Sequence, residues 1–322
     1  MVLDKELLDD LISDLGLNHP FVKGATIPVK RCWHFCTDGN AVDIIFYDEE
    51  DFINGMNRIY ATLQNYHVVI LAFCLMDNHL HFVLHGDFDQ CNRFMHDYVR
   101  RTSHDISVRH NEQHKLENVP IHHQVVDTDF YLKVVICYTI KNAPVAGIRH
   151  NAWSYPWSSG PLYFNSPGYW CSPGWMMESC KTVRTEELGF RSRLSSLKTK
   201  QVPKIPAHMV GPVVLPGDYV AYEIVEKLFK TNKSFNFFLC ITKEDDVEAR
   251  GGSISHLSIP IQEMRQHKND ICLELFGVES TKTLSTSQRL KLARTMRARY
   301  NSSLKQIIRL SGLVYDEVKD LL

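Results

Sequence analysis

The stretch "FCLMDNHLHFVLHG" (residues 73–86) is an apolar run that carries two histidines, His79 and His81, in its middle. In an extended chain successive side chains alternate between faces, so both imidazoles project to one face while Leu80 projects to the other. That geometry suits a bound cation. Taken singly, however, each histidine is more often a hydrogen-bonded core or interface residue, so the pattern needs support from other parts of the chain.

Composition restricts the class of protein. Of 322 residues, 23% are charged and 44% are apolar, which predicts a soluble protein with two domains. The longest apolar run, 68–76, is too short to span a membrane. The acidic N-terminus predicts a short helix that ends at Gly16 and does not resemble a secretory signal. Nine scattered cysteines indicate reduced thiols and a cytoplasmic location. A net charge of −1 gives no sign of a nucleic-acid partner. Any prediction of nucleic-acid binding therefore depends on local clusters of charge.

Hydrophobic periodicity predicts alternating strands and helices in the first half of the chain. The predicted strands are 30–37, 67–75, 79–86 and 120–126, and the predicted helices are 48–66, 88–110 and 127–144. This β-α-β-β-α-β-α order favours the α+β class, with a ferredoxin-like antiparallel sheet that has its helices on one face. The two histidines would lie on one arm of the hairpin 67–86.

Three regions are predicted: a first domain at 1–165, a linker at 166–217 and a mostly helical domain at 218–322. The linker is inferred from its Pro, Gly and Ser content, with some helix near 184–198. Residues 281–310 contain eight Lys or Arg and no Asp or Glu. A helix, a break, the segment "SLKQIIRLSG" and a final helix have the layout of a helix-turn-helix.

The helix after the fourth strand carries side chains that could complete the histidine pair. Tyr138 and Asn142 are four residues apart and share one helical face, and in a ferredoxin-like layout this helix can lie against the histidines. Two imidazoles and an amide oxygen leave positions open on a divalent cation, which can activate a phosphate, and an aligned tyrosine can form a covalent phosphotyrosine. Tyr131, two turns earlier, is the rival nucleophile, and either tyrosine can instead be a packing residue.

Three stretches resemble the motifs of the HUH single-tyrosine transposases, over about residues 25–165. "FCLMDNHLHFVL" is similar to the family's His-hydrophobe-His motif, with Asp77 where a proline is usual. "DTDFYLKVVICYTIKNAPVAGI" is similar to its tyrosine segment, and "SYPWSS" (154–159) matches its trailing stretch. With the basic C-terminal region, the chain looks most like the REP-associated tyrosine transposases.

The resemblance implies cleavage and rejoining of single-stranded DNA at hairpin-forming sites through a 5′-phosphotyrosine intermediate, with Mg²⁺ or Mn²⁺ as cofactor. It implies Tyr138 as the nucleophile and His79, His81 and Asn142 as metal ligands. The expected partner is single-stranded or hairpin DNA, with a homodimer as one option and no membrane. The expected location is the bacterial cytoplasm, in association with the nucleoid.

The chain also departs from the family pattern where arginines are usual. In "HKLENVPIHHQ", His122 and His123 replace Arg and Lys, and "HFCTDGNAV" lacks two arginines of the opening motif. Fewer cations would lower the affinity for DNA and its dependence on salt. Two alternatives therefore stay open: a catalytically inert, domesticated DNA-binding protein of the same fold, and a metal-dependent phosphodiesterase that uses water.

Basic side chains are the predicted DNA contacts. They lie on the helix 88–110 and in the basic C-terminal segment: Arg93, Arg100, Arg101, Arg289, Arg294, Arg297, Arg299 and Lys305. A solvated helix face is the alternative for the first three. The final segment "VYDEVKDLL" lacks Arg, Asn or Gln to read base edges, so contact there would be with the DNA backbone. The aromatic segment 153–164 can stack unpaired bases or, the favoured alternative, pack against the sheet.

Overall fold

A four-stranded sheet organises the first half of the chain in the computed structural model, which describes residues 5–18, 26–39, 41–111, 116, 118–145, 151–165, 182–242, 261–278, 280–300 and 304–313. The strands are β1 (Pro28–Thr37), β2 (Val69–Leu75), β3 (Leu80–His85) and β4 (Ile121–Thr128). They lie in the order β2-β3-β1-β4, and each neighbouring pair is antiparallel. The predicted α+β class and antiparallel sheet are confirmed.

The helices of this region lie close to the predicted bounds. They are α1 (Lys5–Asp14), α2 (Glu49–Leu63), α3 (Phe88–His110) and α4 (Asp129–Val145). The Asp48 carboxylate caps α2 by accepting a hydrogen bond from Asp51 N at 3.0 Å, and acidic residues in the first turn suit the positive end of the helix dipole. Just after α1, Gly16 adopts a φ of 66°, which is strained for other residues, and the chain turns away there.

Helices cover both faces of the sheet, whereas the sequence predicted helices on one face. α2 and α3 pack on the face that carries Phe73 and Phe82. α1 and α4 pack on the face that carries Leu71 and Val83. The prediction was wrong because every side chain of β2 and β3 is buried. Either face left open would expose apolar surface to water.

Part of the predicted linker is a packed unit instead. Its elements are β5 (Thr182–Arg184), α5 (Phe190–Ser192), β6 (His208–Val210) and β7 (Val213–Val214), and the three strands form a second antiparallel sheet. The amide of Asn57 in α2 donates to Ser196 O at 3.2 Å and to Pro212 O at 2.7 Å, and it accepts from Val214 N at 2.9 Å. Composition alone did not indicate these long-range bonds. Residues 166–181 of the predicted linker lie outside the described part of the chain.

The predicted domain boundary at residue 218 also differs from the packing. Two helices, α6 (Tyr222–Phe229) and α7 (Asn232–Ile241), follow it. Phe235 of α7 lies in the same apolar cluster as α4, and Lys141 of α4 donates from Nζ to Leu239 O at 2.9 Å. Residues 218–242 therefore pack with the first region of the chain.

The C-terminal helices have an apolar core of their own. They are α8 (Ile261–Phe276), α9 (Thr286–Tyr300) and α10 (Leu304–Ser311). Cys272, Leu292 and Ile307, one from each helix, are buried together. The predicted final helix falls on residues 314–322, outside the described part, so the helix-turn-helix stays a prediction. Among the described residues, no helix is both long enough and apolar enough to cross a membrane.

Candidate active site

The two histidines lie at the turn between β2 and β3. His79 immediately precedes β3 and His81 is the second residue of that strand, and Met76 N donates to His79 O at 2.9 Å to close the turn. His81 stands opposite Cys36 of β1 and Cys74 of β2 in the register of the sheet. Both imidazoles have no exposed surface, and they lie on the face that α4 covers.

The hydrogen bonds around His79 determine which of its ring nitrogens carries the proton. Asn78 Nδ2 donates to Gly39 O at 2.9 Å, so Asn78 Oδ1 is the atom that faces His79 Nδ1, at 2.8 Å. An amide oxygen only accepts, so Nδ1 of His79 is the donor and its Nε2 carries a lone pair. Orientation of the ring by a second residue is the usual support of a metal-binding histidine.

Asn142 presents an acceptor to the same point. Its Nδ2 donates to Tyr138 O at 2.9 Å and to Thr139 O at 3.3 Å within α4, which leaves Oδ1 directed at His79 Nε2, 3.5 Å away. Two lone pairs therefore oppose each other in the interior, and neither neutral group can donate to the other. Two ligands of one cation stand about 3 to 3.5 Å apart when each metal–ligand distance is about 2.1 Å. The observed separation fits a shared cation.

A third histidine, His34 of β1, supports His81. His34 Nε2 lies 3.1 Å from His81 Nδ1, and the two rings are nearly parallel with centroids 5.3 Å apart. When His81 Nδ1 is the donor, its Nε2 also carries a lone pair. That Nε2 is buried and makes no hydrogen bond to any described residue. A buried polar atom without a partner costs about 1–3 kcal/mol, and a bound cation would offset that cost.

Burial keeps these imidazoles neutral. Removal from water lowers the pKa of His34 to about 4 and the pKa of His79 to about 4. Burial, and after it the neighbouring His79 and His34, hold the pKa of His81 well below its usual value, although the Asn142 side chain raises it. Only a neutral imidazole offers a lone pair to a metal, so at neutral pH the ligands are already in the binding form.

Tyr138 packs beside the histidines from α4. Its ring meets His81 edge-on at a centroid distance of 5.4 Å and His34 at 5.7 Å. Tyr131 is also buried, but seven residues of helix separate it from Tyr138 by about 10 Å along the α4 axis. The structure brings together the four residues predicted for the site: His79, His81, Tyr138 and Asn142.

The site is closed to solvent. The side chains of His79 and His81 have no exposed surface, and Asn142 and Tyr138 are 1% and 3% exposed. A bare cation is small, but a DNA phosphate needs room beside the phenol. A DNA substrate would therefore need a movement that opens the space between α4 and the sheet.

A second group of potential ligands lies at the start of α2. Asp48, Asp51 and His110 each place one ligand atom within 4.8 Å of the others. Arg109 already donates to both carboxylates, at 2.7 Å to Asp48 and 2.5 Å to Asp51, and it lowers the pKa of Asp48. This guanidinium supplies the positive charge that a metal would bring, so we describe the group as an ion-pair network.

The predicted DNA-binding residues of α3 are bonded within their own helix. Arg100 and Arg101 both bond to Asp97, at 2.5 and 2.9 Å, and the exposed Arg93 donates from Nε to Asp89 O at 3.1 Å. α3 covers the sheet face opposite to the histidines. A DNA strand held by these arginines would have to pass around the sheet to reach the tyrosine.

In the C-terminal helices, Arg289 has a structural role that the sequence did not indicate. Its guanidinium donates to Leu284 O at 3.1 Å and to Gly312 O at 2.9 Å, so it joins the start of α9 to the end of α10. Arg294 is exposed. The side chains of the remaining predicted contacts lie outside the described part: Arg297, Arg299 and Lys305.

Most rings of the aromatic segment 153–164 are buried against the rest of the chain, as the favoured alternative predicts. Trp157 stacks on Phe52 with centroids 5.1 Å apart. Tyr155 Oη donates to Leu75 O at 2.7 Å. The rings of Tyr155 and Trp157 are therefore buried and not available to stack bases, whereas Trp153 is 37% exposed.

Sequence reasoning missed His34 and Asn78. A signal for His34 was present, because in "CWHFC" it alternates with Cys32 and Cys36 and so shares their face of a strand. Only strand pairing shows that this face also carries His81. The sequence offered no signal for Asn78, since "DN" is also typical of a simple turn.

No family model, curated protein or solved structure matches this chain. What the site does therefore has to follow from its own geometry.

Proposed function

We propose that this protein is a metal-dependent single-stranded DNA endonuclease and strand transferase of the HUH single-tyrosine type. The observation that carries the proposal is a buried phenol beside two histidines, where His79 Nε2 faces an amide oxygen and His81 Nε2 has no described partner. The β-α-β-β-α-β order with an antiparallel sheet supports a ferredoxin-like catalytic domain. The resemblance of the motifs to transposases supports DNA as the substrate.

Tyr138 would be the nucleophile. Its oxygen forms a bond to phosphorus, the bond between phosphorus and the 3′-oxygen breaks, and the 3′-oxygen leaves as a hydroxyl with the proton that the phenol loses. The resulting 5′-phosphotyrosine retains the phosphodiester energy, so the strand can be rejoined to another 3′ end. His79, His81 and Asn142 would hold Mg²⁺ or Mn²⁺, which when bound withdraws charge from a phosphate oxygen.

The residues around the ligands would prepare them for this role. Asn78 would keep the proton of His79 on Nδ1. His34 would accept from His81 Nδ1 and so keep Nε2 of His81 available to the metal. Two nitrogen ligands favour Mn²⁺ over Mg²⁺, because Mg²⁺ prefers oxygen. The basic C-terminal helices would hold the DNA backbone.

A covalent adduct tests the proposal. The purified chain is incubated with end-labelled hairpin DNA and a library of randomised single strands in Mn²⁺ or Mg²⁺, and protein–DNA adducts that survive denaturant are measured. We expect an adduct with the native chain, none with Tyr138→Phe, and an adduct with the matched control Tyr131→Phe. Metal-dependent cleavage that survives Tyr138→Phe would instead identify the water-using phosphodiesterase.

A catalytically inert DNA-binding protein of the same fold is the second candidate, and the closure of the site favours it. Tyr138 is 3% exposed and the two histidines have no exposed surface. For this candidate we expect DNA binding without adduct or cleavage in any metal, together with retained Mn²⁺ binding at the histidines. That combination of results excludes the transferase.

A further inference from the structure

A cleft of about 660 Å³ lies between α2, α3 and the chain around residues 194–198, and it is separate from the histidine site. A cleft of this size accommodates a ligand as large as a nucleotide. Two carboxylates and five cationic side chains line it, and the cations are Arg58, Arg100, Arg101, Arg109 and Lys198.

Arg58 is the most buried of these cations and is incompletely satisfied. Its side chain is 4% exposed, one terminal nitrogen bonds to Asp105, and its Nε makes no hydrogen bond to any described residue. Burial, and after it the charge of Arg101, lower the pKa of Arg58 to about 10. A buried guanidinium with a spare donor and a cationic neighbour is stabilised when an anion binds to it.

Charge is unevenly distributed along the cleft. Arg109 is neutralised by the carboxylates at the start of α2. Three of the other four cations share two carboxylates: Arg58 pairs with Asp105, and Arg100 and Arg101 pair with Asp97. Lys198 takes part in no ion pair with a described residue. One end of the cleft is therefore positive, and it is the end that contains the buried guanidinium.

Apolar side chains are exposed beside the same cleft. Val108 and Leu194 line it and are 72% and 42% exposed. We propose that the cleft binds a nucleoside monophosphate unit, with the phosphate at Arg58, Arg101 and Lys198 and the base against the two apolar side chains. The unit can come from a free mononucleotide or from the 5′-phosphorylated end of a single strand, which share this chemistry.

Calorimetric titration of the full chain in EDTA tests the proposal. The probes are dAMP, deoxyadenosine, inorganic phosphate, and a trinucleotide with and without a 5′-phosphate. We expect dAMP to bind, inorganic phosphate to bind at least tenfold more weakly and deoxyadenosine not to bind. Equal binding of dAMP and the phosphorylated trinucleotide identifies a strand end as the source, and binding of dAMP alone identifies the free nucleotide. No binding of dAMP at millimolar concentration overturns the proposal.

Matched variants separate a built site from general attraction of anions. Arg101→Gln should weaken dAMP binding about tenfold, as expected for loss of one charged hydrogen bond, and Lys198→Gln about two- to fivefold. Arg93→Gln removes the same charge from α3 outside the cleft and should leave the affinity for dAMP unchanged. Asp105→Asn removes the competing carboxylate and should strengthen binding. An equal loss in Arg93→Gln and Arg101→Gln contradicts the proposal.

This inference does not depend on the proposed transferase activity. Neither His79 nor Tyr138 lines the cleft, and EDTA keeps the histidine site free of metal. We therefore expect His79→Ala to bind dAMP as the native chain does, whatever the outcome of the adduct experiment. Loss of dAMP binding in that variant would place the nucleotide at the histidines and overturn the proposal.

Discussion

On the face of the sheet that α4 covers, the polar side chains of the histidine site are buried and neutral, whereas around α2 and α3 the polar side chains form ion pairs beside an open cleft. His79 and His81 have no exposed surface and offer lone pairs. Arg100 and Arg101 form ion pairs with Asp97. The difference shows how burial selects the kind of ligand. A dry neutral pocket suits a cation, and a wet cationic cleft suits an anion.

The largest expected change in affinity is in the binding of Mn²⁺ on the sheet face that α4 covers. His79→Ala should weaken Mn²⁺ binding by at least about 100-fold, because it removes one of three ligands. At a Mn²⁺ concentration of 100 times Kd, the native chain should gain about 2.7 kcal/mol in free energy of unfolding, which thermal unfolding in Mn²⁺ and in EDTA measures. His85→Gln is the matched control, because His85 lies at the end of β3, the strand that follows His79, but bonds to Asp14. If Mn²⁺ stabilised His79→Ala as much as the native chain, the metal would not be bound at this histidine.

The second effect is a dependence of stability on pH in EDTA. The pKa of His34 and of His79 is lowered from 6.5 to about 4 in the folded chain. Between these values the unfolded chain takes up protons that the folded chain does not, so the free energy of unfolding falls as the pH decreases from 6.5 toward 4. Each histidine contributes on the order of 3 kcal/mol.

Urea unfolding at pH 7.5, 6, 5 and 4.5 measures this loss. His34→Phe should show a shallower decline, because one of the neutral buried imidazoles is gone. Equal free energies of unfolding at pH 7.5 and pH 5 would show that the histidines are not held neutral by burial.

The third effect concerns two arginines of α9. Arg289→Gln should lower the stability of the C-terminal helices by about 1–2 kcal/mol, because it removes bonds to Leu284 O and Gly312 O. Arg294→Gln should change stability by less than about 0.5 kcal/mol but weaken DNA binding at low salt. Hydrogen exchange of α9 and α10 amides measures the first effect, and a salt-dependent DNA titration measures the second. A larger loss of stability in Arg294→Gln than in Arg289→Gln would contradict the structural role of Arg289.

The smallest effect on stability is expected at the ion pairs of α3. Arg100 is 71% exposed and pairs with Asp97 three residues earlier. Such a pair contributes about 0–1 kcal/mol, so Arg100→Gln should lower the free energy of unfolding by no more than about 0.5 kcal/mol. A loss above about 1.5 kcal/mol in urea unfolding would contradict the solvent exposure of this ion pair.

Local sequence patterns were sufficient for the approximate bounds of the strands and helices and for the faces on which the candidate ligands lie. Alternation placed His79 and His81 on one face of a strand, and helical spacing placed Tyr138 and Asn142 on one face of a helix. These predictions succeeded because they depend on periods of two and four residues, which are properties of the local backbone.

Predictions that depended on distant contacts fared worse. Pro, Gly and Ser content predicted a linker at 166–217, but the Asn57 amide holds part of it against α2. The alternation in "CWHFC" did not show that His34 meets His81, since strand pairing decides that contact. A single-sequence pattern contains no information on which strands pair or which segments pack.

The sequence by itself determined the order of strands and helices, the shared face of the histidine pair and the basic character of the C-terminal segment. Only the tertiary structure decided that helices cover both faces, that His34 meets His81 and that the amide oxygen of Asn142 lies 3.5 Å from a ring nitrogen of His79. The physical reason is that proton positions and burial depend on neighbours from distant parts of the chain. Asn78 and Asn142 orient the lone pairs only once β1, β3 and α4 have packed together.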